Sequence, residues 1–142
     1  MPYSLNENQS HHLVNVSTLN TEIFRKTNTA GGYEFTVALD GNLDNSTVTS
    51  LEPKLTSTLA AKPAQVIFDL ARLKFVTSAG IRLFFLAIKQ QKKNGGQTSF
   101  VNLQPQIKEV FAIMGDIPDM RIFRDQAELD AYLLARQRTY QQ

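Results

Sequence analysis

The 142-residue chain contains no cysteine and no tryptophan, and only two histidines. The missing cysteines exclude a disulfide framework, a thiolate metal site and a thiol nucleophile. Their absence also suits the cytoplasm. The histidines, His11 and His12, stand side by side in a polar stretch. Two adjacent histidines in such a tail make a poor metal site, and none is assigned. General acid–base catalysis needs tuned titratable groups gathered in a cleft. With both histidines in the tail and no cysteine, an enzyme is not expected, nor is a cofactor. Charge of one sign is also missing. Lys and Arg number 15 and Asp and Glu 13, a formal net charge of +2. The pI near 9.0 overstates the basic character, so direct nucleic-acid binding finds little support. No apolar run approaches the roughly 18 residues of a membrane span, and no secretory signal opens the chain. Membrane insertion is not expected.

What remains is an ordinary globular composition, 42% hydrophobic and 20% charged. The length fits one domain with a core of its own. Residues 1–18 read as a flexible N-terminal tail, 19–137 as the domain and 138–142 as a frayed end. Glu22-Ile23-Phe24-Arg25 and Tyr33-Glu34-Phe35-Thr36-Val37-Ala38-Leu39 read as strands, the second on its period-2 alternation. Gly31-Gly32 joins them as a hairpin. Asp40-Gly41-Asn42-Leu43-Asp44 reads as a tight closing loop. Val48, Leu51, Leu55 and Leu59 then form a helical stripe that begins after Asn45-Ser46-Thr47. Pro53 lies within it, as a kink or near the start of its regular part. Val66-Ile67-Phe68-Asp69-Leu70 suits an interior strand.

The chain is organised around Phe75-Val76-Thr77-Ser78-Ala79-Gly80-Ile81-Arg82. Small residues lead into a helix, with Ser78 placed to cap it. Ile81, Phe84, Phe85 and Ile88 mark its apolar face, which Leu83, Leu86 and Ala87 widen. Asn94-Gly95-Gly96 ends it. A strand at Thr98–Asn102 and a helix from Pro105 with Ile107, Val110, Phe111 and Met114 follow. Met120–Phe123 is the last strand. Asp125 and Glu128 form a capping-box pattern, and Ala127, Ala131 and Leu134 stripe the last helix. The order predicts an α/β fold: a mixed, mostly parallel central sheet of about five strands with about four helices.

These motifs resemble those of the STAS domain in bacterial anti-sigma-factor antagonists, over about residues 19–135. Gly41-Asn42-Leu43-Asp44 resembles the family's Gly-Glu-Leu-Asp loop. Val66-Ile67-Phe68-Asp69-Leu70 resembles its interior strand. Phe75-Val76-Thr77-Ser78-Ala79-Gly80-Ile81 resembles its Phe-x-Asp-Ser-(Ser/Ala/Thr)-Gly-Leu signature. The resemblance implies that Ser78 is a phosphorylation site, with Thr77 as the alternative hydroxyl. It implies a partner that is both an anti-sigma factor and a serine kinase, bound when Ser78 is bare, and a serine phosphatase that resets the switch. Asp44, Thr77, Ser78, Ala79, Gly80 and Arg82 would form the partner-binding surface. A homodimer is also open. Asp69 is read as structural, holding loop amides at its strand end. The sequence departs from the signature at Thr77, where the family usually has Asp. That departure keeps a second reading alive: a STAS module that docks onto a stress-signalling complex or a transporter component. A phospho-aspartate receiver is the weaker rival, since its acidic pair and lysine are not recognisable.

Overall fold

The computed structural model describes residues 17–113 and 120–135, apart from 126, 129 and 133. The chain opens with a hairpin of β1 (Leu19–Thr27) and β2 (Tyr33–Leu43). The Asn28 side chain tightens its turn, accepting hydrogen bonds from the amides of Ala30 (3.0 Å) and Gly32 (2.8 Å). Then come α1 (Val48–Ala60), β3 (Gln65–Val76), α2 (Ser78–Lys93), β4 (Gln97–Val101), α3 (Pro105–Ile113) and β5 (Met120–Phe123). A fourth helix, α4, takes in residues 127–128, 130–132 and 134–135.

The strands lie in chain order, β1-β2-β3-β4-β5. β1 and β2 are antiparallel, and the other neighbours are parallel. Each parallel step advances the same way, and such crossovers are right-handed. α1, α2 and α3 therefore fall on one face of the sheet. They bury Leu51, Leu55, Ile81, Phe84, Ile107 and Phe111 against Val37, Leu39, Phe68 and Phe100. On the other face Ile67, Val101 and Phe123 meet Tyr132 of α4. Over β1 and β2 no element among the described residues covers that second face.

Three local expectations change, and a fourth, one helix through Pro53, holds. β2 does not stop at Leu39 in a tight loop. It continues through Leu43, because Gly41 takes a positive φ of 121° and the strand absorbs register shifts on either side of it. At Gly41 the Thr18 carbonyl oxygen sits where a Cβ would go. β3 runs past Leu70 to Val76. It loses β4 after Asp69 but keeps β2 as a partner, and Leu73 and Val76 are buried. α1 is one helix through Pro53, which lies on its exposed side. Water can serve the carbonyl that the missing N–H leaves open. Ala127, Ala131 and Leu134 of α4 are exposed, so that stripe is not the buried one. The cap itself forms: the Glu128 amide donates to Asp125 Oδ1 at 3.0 Å. Met114 and the tail residues His11 and His12 lie outside the described residues.

Candidate functional site

The end of β2 and the start of α2 are joined directly. The Thr77 amide donates to the Leu43 carbonyl at 3.0 Å. The Thr77 hydroxyl reaches Asn45 Oδ1 at 3.3 Å. Thr77, not Ser78, holds the N-cap position. Its backbone is extended (φ −102°, ψ 175°), and its side chain makes no capping bond. Ser78 is the first helical residue. Its extended predecessor makes the turn, so the cap expected at Ser78 shifts by one. The Ile81 amide is the first to bond back, to the Thr77 carbonyl at 2.9 Å. The amides of Ser78, Ala79 and Gly80 find no acceptor among the described residues. The Ser78 side chain is exposed, and its hydroxyl has no hydrogen bond among them.

Asp44 anchors the neighbouring turn. It accepts from the Ser17 hydroxyl (2.5 Å), the Ser46 hydroxyl (2.7 Å) and the amides of Ser46 (2.9 Å) and Thr47 (3.1 Å). An aspartate that binds amides two and three residues on is a turn former, and here the turn leads into α1. The Thr47 hydroxyl completes it, accepting from the Asp44 amide (2.9 Å) and donating to the Asn42 carbonyl (2.8 Å). The Ser17 hydroxyl above all, then the Ser46 hydroxyl and the two amides, pull the Asp44 pKa down to about 2. A lowered folded-state pKa means stability that is present above the ordinary value of 3.8 and lost as pH falls toward 2. Asp44→Ala is expected to cost about 1–2 kcal/mol at neutral pH, as other lost helix-start caps do. The gap between wild type and Asp44→Ala narrows as pH falls from about 4 to 2. Urea unfolding across that range checks it, and a constant gap refutes the ionic role. Ser17 was missed in the tail, because its partner lies 27 residues away.

The other residues singled out from the sequence separate into two sets. Thr77, Ser78 and Arg82 line a shallow groove of about 390 Å³ with Val76, Ile81 and Phe85 of the same stretch and Val110 of α3. Ala79 is half-buried beside them. Gly80 instead faces inward. A Cβ there would lie 2.6 Å from Leu43 Cγ and 2.9 Å from the Leu43 carbonyl oxygen. It acts by letting the helix seat, while Asp44 acts by shaping the adjoining turn. Phe85 and Leu86, expected in the buried face, are 36% and 42% exposed, and Phe75 is 54% exposed. The buried face of α2 runs instead through Ile81, Phe84, Ala87, Ile88 and Gln91. An apolar surface therefore adjoins Ser78. Asp69 is structural but lies within β3, not at its end: where β4 leaves β3 it accepts from the Ala71 amide of its own strand (3.1 Å) and from Asn102 Nδ2 (3.1 Å). Among the described residues no group of three His, Asp or Glu is placed to hold a metal ion, and no helix is long and apolar enough to cross a membrane.

Against known proteins, one family matches, the STAS domain, over residues 23–129. BtrV of Bordetella bronchiseptica, assigned as an anti-sigma factor antagonist, is 32% identical over 77 residues. The match covers 54% of this chain and 66% of BtrV, just under two thirds of that relative. The unphosphorylated anti-sigma factor antagonist SpoIIAA has a TM-score of 0.60 at 18% identity, over 83% of this chain and 98% of its own. SpoIIAA of Bacillus also matches in its phosphorylated form, with a TM-score of 0.59 at 21% identity, over 81% of this chain and 99% of its own. The murine anion transporter Slc26a9 has a TM-score of 0.68 at 13% identity, over 90% of this chain and 24% of the transporter. At these identities the solved structures speak for the fold alone.

Proposed function

The chain belongs to the STAS domain family, and we propose that it is an anti-sigma-factor antagonist switched by phosphorylation at Ser78. In this reading it is a cytoplasmic binding protein, not an enzyme. Unphosphorylated, it docks an anti-sigma factor that is also a serine kinase, and so frees a sigma factor. The kinase transfers the γ-phosphoryl group of ATP to Ser78 Oγ. The new O–P bond replaces the β–γ bridge, ADP leaves, and the hydroxyl proton passes to a base on the kinase. A serine phosphatase hydrolyses the ester and resets the switch.

The observation that carries this reading is the state of Ser78. It is exposed, its hydroxyl is uncommitted among the described residues, and it begins a helix whose first three amides are uncapped. Thr77 is the poorer acceptor, being half-buried and bonded to Asn45. A phosphoryl group at Ser78 would meet the free amides and the positive end of the α2 dipole. Arg82, four residues on, stands on the same helix face. The fold therefore tolerates the anion, and the effect falls on the partner. Phosphorylation adds about −1.5 to −2 charges beside an apolar groove that the partner must cover. Burying such a charge unpaired opposes association. Reversing a 99:1 population takes roughly 5.5 kcal/mol, which is within reach of that cost.

Wild type, Ser78→Ala and Ser78→Asp are to be used as bait in the native host. Wild type and Ser78→Ala should retain an ATP-binding serine kinase. Ser78→Asp, with about half the charge of the phosphoryl group, should bind it about a hundredfold more weakly. A partner set without a kinase, unchanged by Ser78→Asp, would sink the switch. That result would leave the second reading, a docking module of a stress complex or transporter component. Thr77 in the usual Asp place favours it.

A further inference from the structure

β1 is the outer strand of the described sheet, and half of its backbone faces away from β2. Two bonds set the parity. At one end the Asn42 amide donates to the Thr18 carbonyl (2.9 Å), and at the other the Asn28 amide donates to the Gly32 carbonyl (2.8 Å). The register between them is unbroken, from Leu19 opposite Gly41 to Thr27 opposite Tyr33. Bonded and non-bonded pairs alternate in an antiparallel ladder. The even-numbered residues of β1 therefore bond to β2. Leu19, Thr21, Ile23, Arg25 and Thr27 turn their N–H and C=O groups to the outer edge. Side chains alternate as well. Leu19 and Ile23 pack on the core, while Glu22, Phe24 and Lys26 stand on the open face. There Phe24 is 57% exposed, and Glu22 and Phe24 border a groove of about 650 Å³. A long, accessible edge with an exposed aromatic is a template for strand addition.

We propose that this edge pairs with β1 of a second copy, antiparallel and centred on Phe24. A two-fold axis normal to the sheet keeps each side chain on its own face, so odd residues must oppose odd ones. Thr21 then exchanges both backbone bonds with Thr27 of the second copy, and Ile23 with Arg25. Phe24 meets Phe24 in a non-hydrogen-bonded pair, where Cα atoms approach to about 4.5 Å. Glu22 faces Lys26 of the second copy, and Lys26 faces Glu22. Among the described residues Lys26 has only a loose contact with Glu34 at 3.9 Å, and Glu22 has no ion pair. Other registers forfeit this match. Centring on Glu22 or Lys26 sets like charges opposite, centring on Arg25 opposes two arginines, and centring on Ile23 puts Glu22 against Phe24. The charge pattern thus selects one occupant, this chain itself, and one register.

Sedimentation velocity of the full chain at rising concentration should show a monomer–dimer equilibrium. Glu22→Lys should raise the dimer dissociation constant about tenfold, Lys26→Glu likewise, and the two together should restore it. The chain has no native cysteine, so Phe24→Cys supplies a single thiol. The facing Cα separation suits a disulfide, and mild oxidation with diamide should link two copies through it. Circular dichroism confirms that each variant folds. A chain that stays monomeric at every concentration overturns the proposal. So does a dimer that neither responds to Glu22→Lys nor links through Phe24→Cys.

Discussion

Phe84→Ala is expected to lower the unfolding free energy by about 3–5 kcal/mol, the range for removing a buried Phe. The ring sits where α2 meets the sheet. Its centroid lies 5.0 Å from that of Phe68, 5.2 Å from Phe100 and 6.2 Å from Phe111. Phe68 and Phe100 stack within 16° of parallel, and Phe111 closes the cluster edge-on. One ring thus ties together β3, β4, α2 and α3, and its neighbours are too large to collapse into the space left. Tilted and edge-on aromatic pairs add to the area term. Native domains hold only about 5–15 kcal/mol in total, so this loss is a large share. The chain has no tryptophan, so circular dichroism in urea is the readout. The midpoint should fall with the slope unchanged. Phe84→Leu should lose clearly less. Equal losses for the two would mean that the ring itself does not hold the junction.

Gly80→Val should be nearly as disruptive, for the opposite reason. Leu43 is fully buried, and its backbone oxygen accepts the Thr77 amide bond that starts α2. A side chain at Gly80 must displace Leu43, Val76 or the helix. Overpacking of this kind costs about 1–3 kcal/mol. Gly80→Ala recovers up to about 1 kcal/mol in helix propensity, yet its Cβ already overlaps the Leu43 oxygen, so it should still destabilise. Gly80→Val adds two methyls and should fall at the top of the range. Ser78→Ala, exposed and two residues away on the opposite side of the helix, should stay within about 0.5 kcal/mol. A Gly80→Val protein as stable as wild type would show that α2 can lift off β2 without cost. Hydrogen exchange at Thr77 would locate the damage in either case.

The parts of the fold that were legible in the chain are those with short-range causes. The alternation of Tyr33, Phe35, Val37 and Leu39 marked β2, and Gly31-Gly32 marked its turn. The apolar spacing of Leu51, Leu55 and Leu59 outweighed Pro53. Asp125 and Glu128 announced a cap three residues apart, and the bond is there. The errors share one feature. Gly41 read as a loop because a turn and a bulge use the same residue, and the strand on either side decides between them. Ala71 to Lys74 lacks the alternation of a strand, yet β2 holds it in the sheet. Phe85 and Leu86 read as buried because hydrophobicity does not say which side of a helix has a neighbour.

Strand and helix order, the short turns and the place of Ser78 at a helix start follow from the amino acids alone, since each depends on residues only a few positions apart. The uncapped amides of α2, the groove shared with Val110, the Ser17 bond to Asp44 and the open edge of β1 do not. Each joins, or leaves unjoined, groups from segments far apart in the chain. Their meeting depends on how three right-handed crossovers stack helices on one face and, among the described residues, leave β1 and β2 uncovered on the other.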